Sequence, residues 1–378
     1  MKHYISTSIL LLLVFSFTNL LYSQSLYLSL EECIKYAEKN NLTLKTAALD
    51  KEKANISFEQ SKRAYAPSIS ASASQSLGYS NGVSDNNFSA SGSYSIGANM
   101  TLFDGFNTQT NIKQNELNLT QADLQLAQNQ DNINVQIIQA FLTVLMNKEL
   151  LDYQQTVVKT SEEQYNQGKA QLAVGKILES DFMLLNSQYQ SDLFNIENTK
   201  ITIENNILEL KNLLNIDHNT TLDIKKPDTA AIKALLELPS LDYILSQAIN
   251  YLPIIKIRAN NVKLAEYDID LAKSSYYPTL GLSAGVSTGY RNKNGSFGGQ
   301  LTDNLGENLG LSLNIPIYSK GNVDSKVQQS QVALQKALIA QENAKLEGIQ
   351  TIEKAYLTTQ RSLNNYNNNF VFTLCHNI

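Results

Sequence analysis

Ser68-Ile69-Ser70-Ala71-Ser72-Ala73-Ser74-Gln75-Ser76-Leu77-Gly78-Tyr79 alternates without a break, every even position being Ser or Gly. Alternation with a period of two describes a strand with two unlike faces. Over 88–102 the pattern returns in the other phase, with Phe88, Ala90, Gly92, Tyr94, Ile96, Ala98, Met100 and Leu102 against Ser, Gly, Asn and Thr. The polar segment 81–87 between the two runs has the composition of a hairpin tip. A second pair follows, Leu280, Leu282, Ala284, Val286 and Tyr290, then Leu309, Leu311, Leu313, Ile315 and Ile317, separated by the polar, glycine-containing stretch 291–304.

Each strand is long enough to cross a bilayer, which takes about 9–11 tilted residues. A soluble sheet with one face on a protein core alternates in the same way. Here the polar face is small and almost uncharged, the apolar face is aliphatic, and Tyr79, Tyr290 and Tyr318 stand at strand ends, where an aromatic belt belongs. These features favour lipid on the apolar side. Four strands cannot close a barrel, since the smallest outer-membrane barrels have about eight, and an open edge in lipid leaves backbone groups unpaired. Oligomerisation is therefore required, and the sequence alone permits two, three or four copies.

The hairpins belong to a duplication. Residues 30–67 match 241–278 with Leu30 beside Leu241, Ala37 beside Ala248, Lys62 beside Lys273 and Pro67 beside Pro278. Aligning Gly105 with Gly321 then gives the second copy five extra residues, which fit in a loop tip. Each copy reads helix, Pro, two strands, Gly, long helix. The resulting division is a signal segment 1–23, a first repeat 24–225 with its hairpin at 68–103, a linker 226–238, a second repeat 239–369 with its hairpin at 279–318, and a tail 370–378 that departs from the preceding style. The first copy ends near Leu214, so the second lacks the counterpart of its returning helix.

The helices carry two apolar series each. Over about 106–173, Ile112, Leu119, Leu126, Ile133 and Ala140 repeat every seven residues, and Leu117, Leu124, Ile138 and Leu145 follow a series displaced by five. Over about 176–214 the two series are Phe182, Tyr189, Ile196, Ile203 and Leu210, and Phe194, Ile201 and Leu208. Val327 and Leu334, with Val332, Ile339 and Leu346, continue the spacing in the second copy. Five residues turn about 140° around a helix. One seam makes a two-stranded coiled coil; two well-separated seams give each helix a neighbour on both sides, as in a curved wall. A bundle with broad apolar stripes fills two series as well, but strands that need a closed oligomer favour the wall.

Composition excludes several function classes. Charged residues make up 17% of the chain and the formal net charge is −5, so no basic surface invites nucleic acid. The two cysteines, Cys33 and Cys375, build neither a disulfide framework nor a thiolate cluster. His3, His218 and His376 lie far apart in sequence, so no catalytic, cofactor or metal site is expected and the chain reads as a non-enzyme. Lys2, the apolar run over 9–21 and Tyr22-Ser23-Gln24 fit a secretory signal cleaved near Ser23; the apolar core is short for a membrane anchor of about 20 residues.

Two tandem copies of helix, hairpin and long helix resemble the TolC-like outer-membrane efflux family, over residues 26 to about 366. The residues that carry the resemblance are Ala64-Tyr65-Ala66-Pro67 and Ser275-Tyr276-Tyr277-Pro278 before the hairpins, and Leu102-Phe103-Asp104-Gly105 and Pro316-Ile317-Tyr318-Ser319-Lys320-Gly321 after them. Val174-Gly175, Ser180-Asp181 and Gln188-Tyr189 complete the set. The resemblance implies an α+β membrane protein in the outer membrane: a homotrimer whose four strands per chain form a twelve-stranded barrel, continued by a long α-helical barrel across the periplasm. It implies a passive conduit of a tripartite efflux or type I secretion system, working with a periplasmic adaptor and an inner-membrane transporter. Gly175 and Asp181 would lie at the periplasmic turn, and Pro67, Gly105, Pro278 and Gly321 at the helix–strand junctions. Gly175 offers a permissive backbone for the turn, with Gly168 as the alternative turn point, and Asp181 caps or charges the next helix rather than gating directly. A soluble periplasmic coiled-coil adaptor is the competing reading.

Overall fold

The computed structural model describes residues 26–79, 88–227, 238–292 and 296–376. The signal segment and most of the linker lie outside the described residues. In chain order the elements are β1 (Leu26–Leu28), α1 (Leu30–Asn40), α2 (Leu42–Lys62), a 3-10 turn (Arg63–Tyr65), β2 (Ser68–Tyr79), β3 (Phe88–Phe103), α3 (Asn107–Ala173) and α4 (Glu179–Leu214). They continue with β4 (Leu222–Ile224), α5 (Leu241–Tyr251), α6 (Pro253–Ser274), β5 (Thr279–Arg291), α7 (Phe297–Asp303), β6 (Gly306–Asn314) and α8 (Asn322–His376). The described residues form two compact units, one of residues 26–46 and 129–227, the other of residues 47–79, 88–128, 238–292 and 296–376. The backbone of α8 stays helical through most of the tail.

In the first unit, β1 and β4 pair in parallel with Leu26 opposite Leu222 and Leu28 opposite Ile224. Cys33, Ala37, Ile137, Phe141, Val144, Leu210 and Leu214 pack into the core beneath them. Burial pushes the Cys33 thiol up to about 11, with the Glu32 charge adding to the effect, so this cysteine is inert at neutral pH. Helix α1 starts on a capping box, Ser29 Oγ accepting from Glu32 N at 3.3 Å while Ser29 N donates to Glu32 Oε2 at 2.8 Å. Lys225 holds the same carboxylate at 2.9 Å, and Lys148 pairs with Asp223 on β4. Asn41 separates α1 from α2: its Oδ1 accepts from Thr43 N and Leu44 N while its Nδ2 donates to Leu213 O at 2.8 Å. Of the two series on α4, Ile196, Ile203 and Leu210 are buried, whereas Phe194, Ile201 and Leu208 are exposed.

The second unit holds one four-stranded antiparallel sheet in the order β2-β3-β5-β6. Register keeps like faces together: Ala71 faces Ile96, Ile96 faces Val286, and Ala284 faces Leu309. One face is therefore aliphatic across all four strands. The other is a field of Ser and Gly, with Ser72 and Ser95 hydroxyls bonded at 2.8 Å and Ser74 and Ser93 at 2.7 Å. Gly92 leaves room on the aliphatic face for Tyr290, whose ring lies where a Cβ would stand and whose hydroxyl donates to Gln75 Oε1 at 2.7 Å. Phe297 meets that ring edge-on.

Three sequence expectations change. The hairpin 279–318 ends early: β6 stops at Asn314, two residues before Pro316, which supplies no ladder donor. Ile315, Ile317 and Tyr318 consequently lie beyond the strand, exposed. The tip 291–304 contains the short helix α7, capped by Ser296, which accepts from Gly299 N. Past the end of β6, this helix occupies the edge of β5: Gln300 Oε1 accepts from Arg291 N at 2.7 Å and Asn304 Nδ2 donates to Gly289 O at 2.7 Å.

The third change concerns the alignment of the copies. The first halves superpose as expected, α2 and α6 starting 211 positions apart, at Leu42 and Pro253, and β2 and β5 likewise. At the strand-to-helix junctions the left-handed pair Gly105-Phe106 matches Lys320-Gly321, and Asn107 N and Asn322 N donate to Asp104 O and Ser319 O. The offset is thus 215, not the 216 of a Gly-on-Gly alignment, and the second copy carries four extra residues rather than five. An odd offset is also what the sheet requires, because β3 turns even positions to the aliphatic face and β6 odd ones.

Candidate functional site

In the first unit the chain reverses between α3 and α4. Gly175 has φ +70°, its N–H bonds Leu172 O at 3.0 Å, and Lys176 N–H bonds Gln171 O at 2.9 Å. This is a Schellman ending, which needs a left-handed residue after the helix. Gly168 lies inside α3 instead. A Cβ there would come within 2.5 Å of Leu185 Cδ1, so that glycine serves close helix approach and is not the turn. Beside it Tyr165 stacks on Tyr189 and Phe182, with centroids 5.4 Å apart in each pair.

Asp181 does not cap α4. The capping position is Leu178, which offers no side-chain acceptor, and Asp181 lies exposed in the first turn together with Glu179. Carboxylates there interact favourably with the helix dipole, so the structure selects charge over capping. Around the turn Val174, Leu178, Met183 and Leu184 are all exposed. The tip is thus apolar and carries two carboxylates.

In the second unit the helix–strand junctions draw together. Pro67 follows the 3-10 turn and Pro278 follows Tyr277, each directly before a strand; both favour extended geometry where the helix must stop. Gly105 has φ +68°, and a Cβ on it would lie 2.5 Å from Ser274 O and 2.8 Å from Tyr277 Cβ. Phe106 stands edge-on to Phe103 and Tyr277, at 5.4 and 6.2 Å. Asp104 Oδ2 accepts from Thr108 N at 2.9 Å and from its hydroxyl. Gly321, with φ +71°, has nothing within 4 Å of a Cβ position. Tyr276 OH donates to Asp324 at the base of α8. The sequence missed the contact between the Gly105 and Tyr277 junctions, which only strand order brings side by side.

Among the described residues, no group of three or more His, Cys, Asp and Glu side chains is placed to hold a metal ion. Also among these, no helix is long and apolar enough to cross a membrane.

Over 303 residues the chain is 23% identical to the outer membrane efflux protein BepC of Brucella suis, covering 80% of this chain and 63% of that protein. Over 358 residues it is 25% identical to the outer membrane protein TolC of Salmonella enteritidis, covering 90% of this chain and 69% of that one. The chain thus spans less than two thirds of the Brucella relative. Its fold matches the solved structure of CusC, described as forming a transmembrane channel, with a TM-score of 0.75 at 15% identity over 90% of this chain and 78% of that one. The profile of the outer membrane efflux protein family covers residues 33–212 and 244–367, nearly all of both copies. With its duplicated helix–hairpin–helix architecture shared as well, the chain belongs to the outer membrane efflux protein family, whose members are channel proteins of the outer membrane.

Proposed function

We propose that this protein is the outer-membrane duct of a tripartite efflux or type I secretion system, a passive conduit for cargo delivered by an inner-membrane transporter and a periplasmic adaptor. The observation that carries this reading is the four-stranded sheet, aliphatic on one face and serine-lined on the other, with the outer edges of β2 and β6 open. Ile69, Leu309 and Leu311 stand exposed on the aliphatic side, where lipid contact removes the cost of hydrating them. Each unpaired backbone group on the open edges costs several kcal/mol in hydrocarbon, so further copies must complete the barrel. Three copies give the twelve strands expected from the family resemblance, with the Ser and Gly face lining the bore.

The exposed series Phe194, Ile201 and Leu208 on α4 fits the same assembly, since burying one such side chain contributes about 1.5–3 kcal/mol. It supports a helical barrel in the periplasm. The turn at Gly175 and Asp181, with its exposed Val174 and Leu178, is the surface offered to the adaptor. The junctions at Pro67, Gly105, Pro278 and Gly321 turn helices into strands at the membrane boundary. Cargo passes without covalent chemistry.

Outer-membrane fractionation, followed by gel migration of unheated against heated samples, tests the reading. A heat-dissociable trimer in the outer-membrane fraction is expected; a soluble species would restore the periplasmic coiled-coil alternative.

A further inference from the structure

The strands β2, β3, β5 and β6 hold two charged residues, Arg291 and Glu307. Register assigns them to opposite faces of the sheet. Glu307 lies opposite Val286 on the aliphatic side, whereas Arg291 lies opposite Ser91, itself opposite Ser76, on the Ser and Gly side. Across these four strands the polar side is therefore neutral except for one guanidinium, which stands exposed at the loop end of β5.

The backbone beneath that side chain is fixed from both directions. Arg291 N–H donates to Gln300 Oε1 at 2.7 Å, and Asn292 N–H donates to Ala90 O at 2.9 Å. Two further bonds clamp α7 to the same stretch of β5: Thr288 Oγ1 donates to Leu301 O at 2.6 Å, and Asn304 Nδ2 to Gly289 O at 2.7 Å. Held there, α7 brings Asp303 to an open hollow of about 550 Å3 that Arg291, Ser76 and Ser91 also line. Asp303 is exposed too. Among the described residues neither it nor Arg291 is joined in an ion pair.

We propose that Arg291 and Asp303 form the ion-discriminating layer of the conduit, at the end of the strands away from the helices, with Arg291 drawing anions and Asp303 drawing cations. This rests on the conduit reading above, in which the Ser and Gly face lines the bore. Hydroxyls and peptide groups offer a permeating ion hydrogen bonds but no net charge. Along the strands a permeating ion meets fixed charge at this level alone, because Glu307 is turned to the aliphatic side. Assembly of identical copies repeats each side chain around the axis, and a ring of like charges is what sets the sign of the favoured ion in a pore. Arg291 stays charged at every accessible pH, so its pull on anions does not depend on a titration. The field of such a ring reaches about 10 Å at 0.1 M salt and about 3 Å at 1 M, so the discrimination belongs to dilute solutions and fades in concentrated ones.

Reversal potentials of the purified oligomer in planar bilayers, measured across a potassium chloride gradient, test this. Arg291→Ser is expected to lower the chloride-to-potassium permeability ratio about twofold or more near 0.1 M salt, Asp303→Asn to raise it, and both shifts to shrink near 1 M. The Arg291 contact to α7 is made by its backbone N–H, so the serine variant keeps the clamp. Arg291→Lys should retain the unsubstituted ratio. Moving the cation along the same face, with Arg291→Ser and Ser287→Arg together, should restore it, since Ser287 lies opposite Ser95 on the polar side. Conducting channels whose ratio is the same in Arg291→Ser, Asp303→Asn and the unsubstituted chain overturn the layer and leave the conduit standing. So does a ratio that follows Asp181→Asn at the α3–α4 turn while ignoring Arg291. Absence of any conducting channel from the unsubstituted chain overturns the conduit reading and the layer with it.

Discussion

The two strand-to-helix junctions share one backbone and sit in opposite surroundings. In each, two consecutive left-handed residues precede the helix, but glycine takes the first place in Gly105-Phe106 and the second in Lys320-Gly321. At Gly105 a Cβ would be 2.5 Å from the Ser274 carbonyl oxygen; at Gly321 it would meet nothing within 4 Å. One glycine therefore answers two demands, conformation and room, and the other answers conformation alone. The difference teaches that duplication preserved a shape while the identity of the residue drifted to wherever the neighbour left space.

The largest expected effect breaks or confirms this contrast directly. Gly105→Ala should cost about 1–2 kcal/mol for the left-handed backbone and about 1–3 kcal/mol more for overlap with Ser274 and Tyr277, read as a lowered dissociation or unfolding temperature. Gly321→Ala should show only the first component, about 1–2 kcal/mol; equal losses at both sites would mean that packing at Gly105 is immaterial. At the reversal between α3 and α4, Gly175→Ala should cost about 1 kcal/mol. Gly175→Asn should cost less, since Asn215 ends α4 at φ 53° with the same pair of backbone bonds.

The smallest effect compares the caps of the two copies. Ser29 and Ser240 both cap a helix, but the residue three positions on is Glu32 in the first copy and Tyr243 in the second. The Ser29 backbone N–H, followed by Lys225, holds the Glu32 carboxyl at about 2, below its ordinary 4.5. A depressed carboxyl stabilises the folded state above its ordinary value and loses that contribution as pH falls. The first cap should therefore weaken between about pH 4.5 and 2, and the second copy has no such carboxylate at that place. Local hydrogen exchange at α1 and α5 measures this, and Glu32→Gln should remove the pH response at α1 while leaving α5 unchanged.

Where a local pattern decided the structure, the sequence was readable. Period-two alternation located β2, β3 and β5 to within a residue or two, because a sheet with one aliphatic and one Ser/Gly face tolerates no slip of a single residue. The series on α4 were equally plain, although burial of one and exposure of the other depends on neighbours that periodicity does not name. Three features were misread for physical reasons. A left-handed pair accepts glycine at either place, so aligning Gly105 with Gly321 shifted the second copy by one. Gly298 and Gly299 lower the helix propensity of α7, leaving the Ser296 cap as the available signal. The alternation runs on through Ile315 and Ile317, although Pro316 has no N–H to pair and β6 ends at Asn314; for Asp181 the sequence left capping and charge both open, and the helix start at Glu179 places it in the first turn, where its charge acts.

Among positions on the aliphatic side of β3, Gly92 is the single glycine, and the Tyr290 ring lies over it to reach Gln75 two strands away. The smallest slip of β5 along β3 that keeps the two faces apart is two residues, and it would drive that ring onto Ala90 or Tyr94. The tyrosine thus works as a key cut for one slot. A slipped alignment therefore meets a steric clash that the observed one does not, so a single ring and the gap beneath it set where β5 lies along β3.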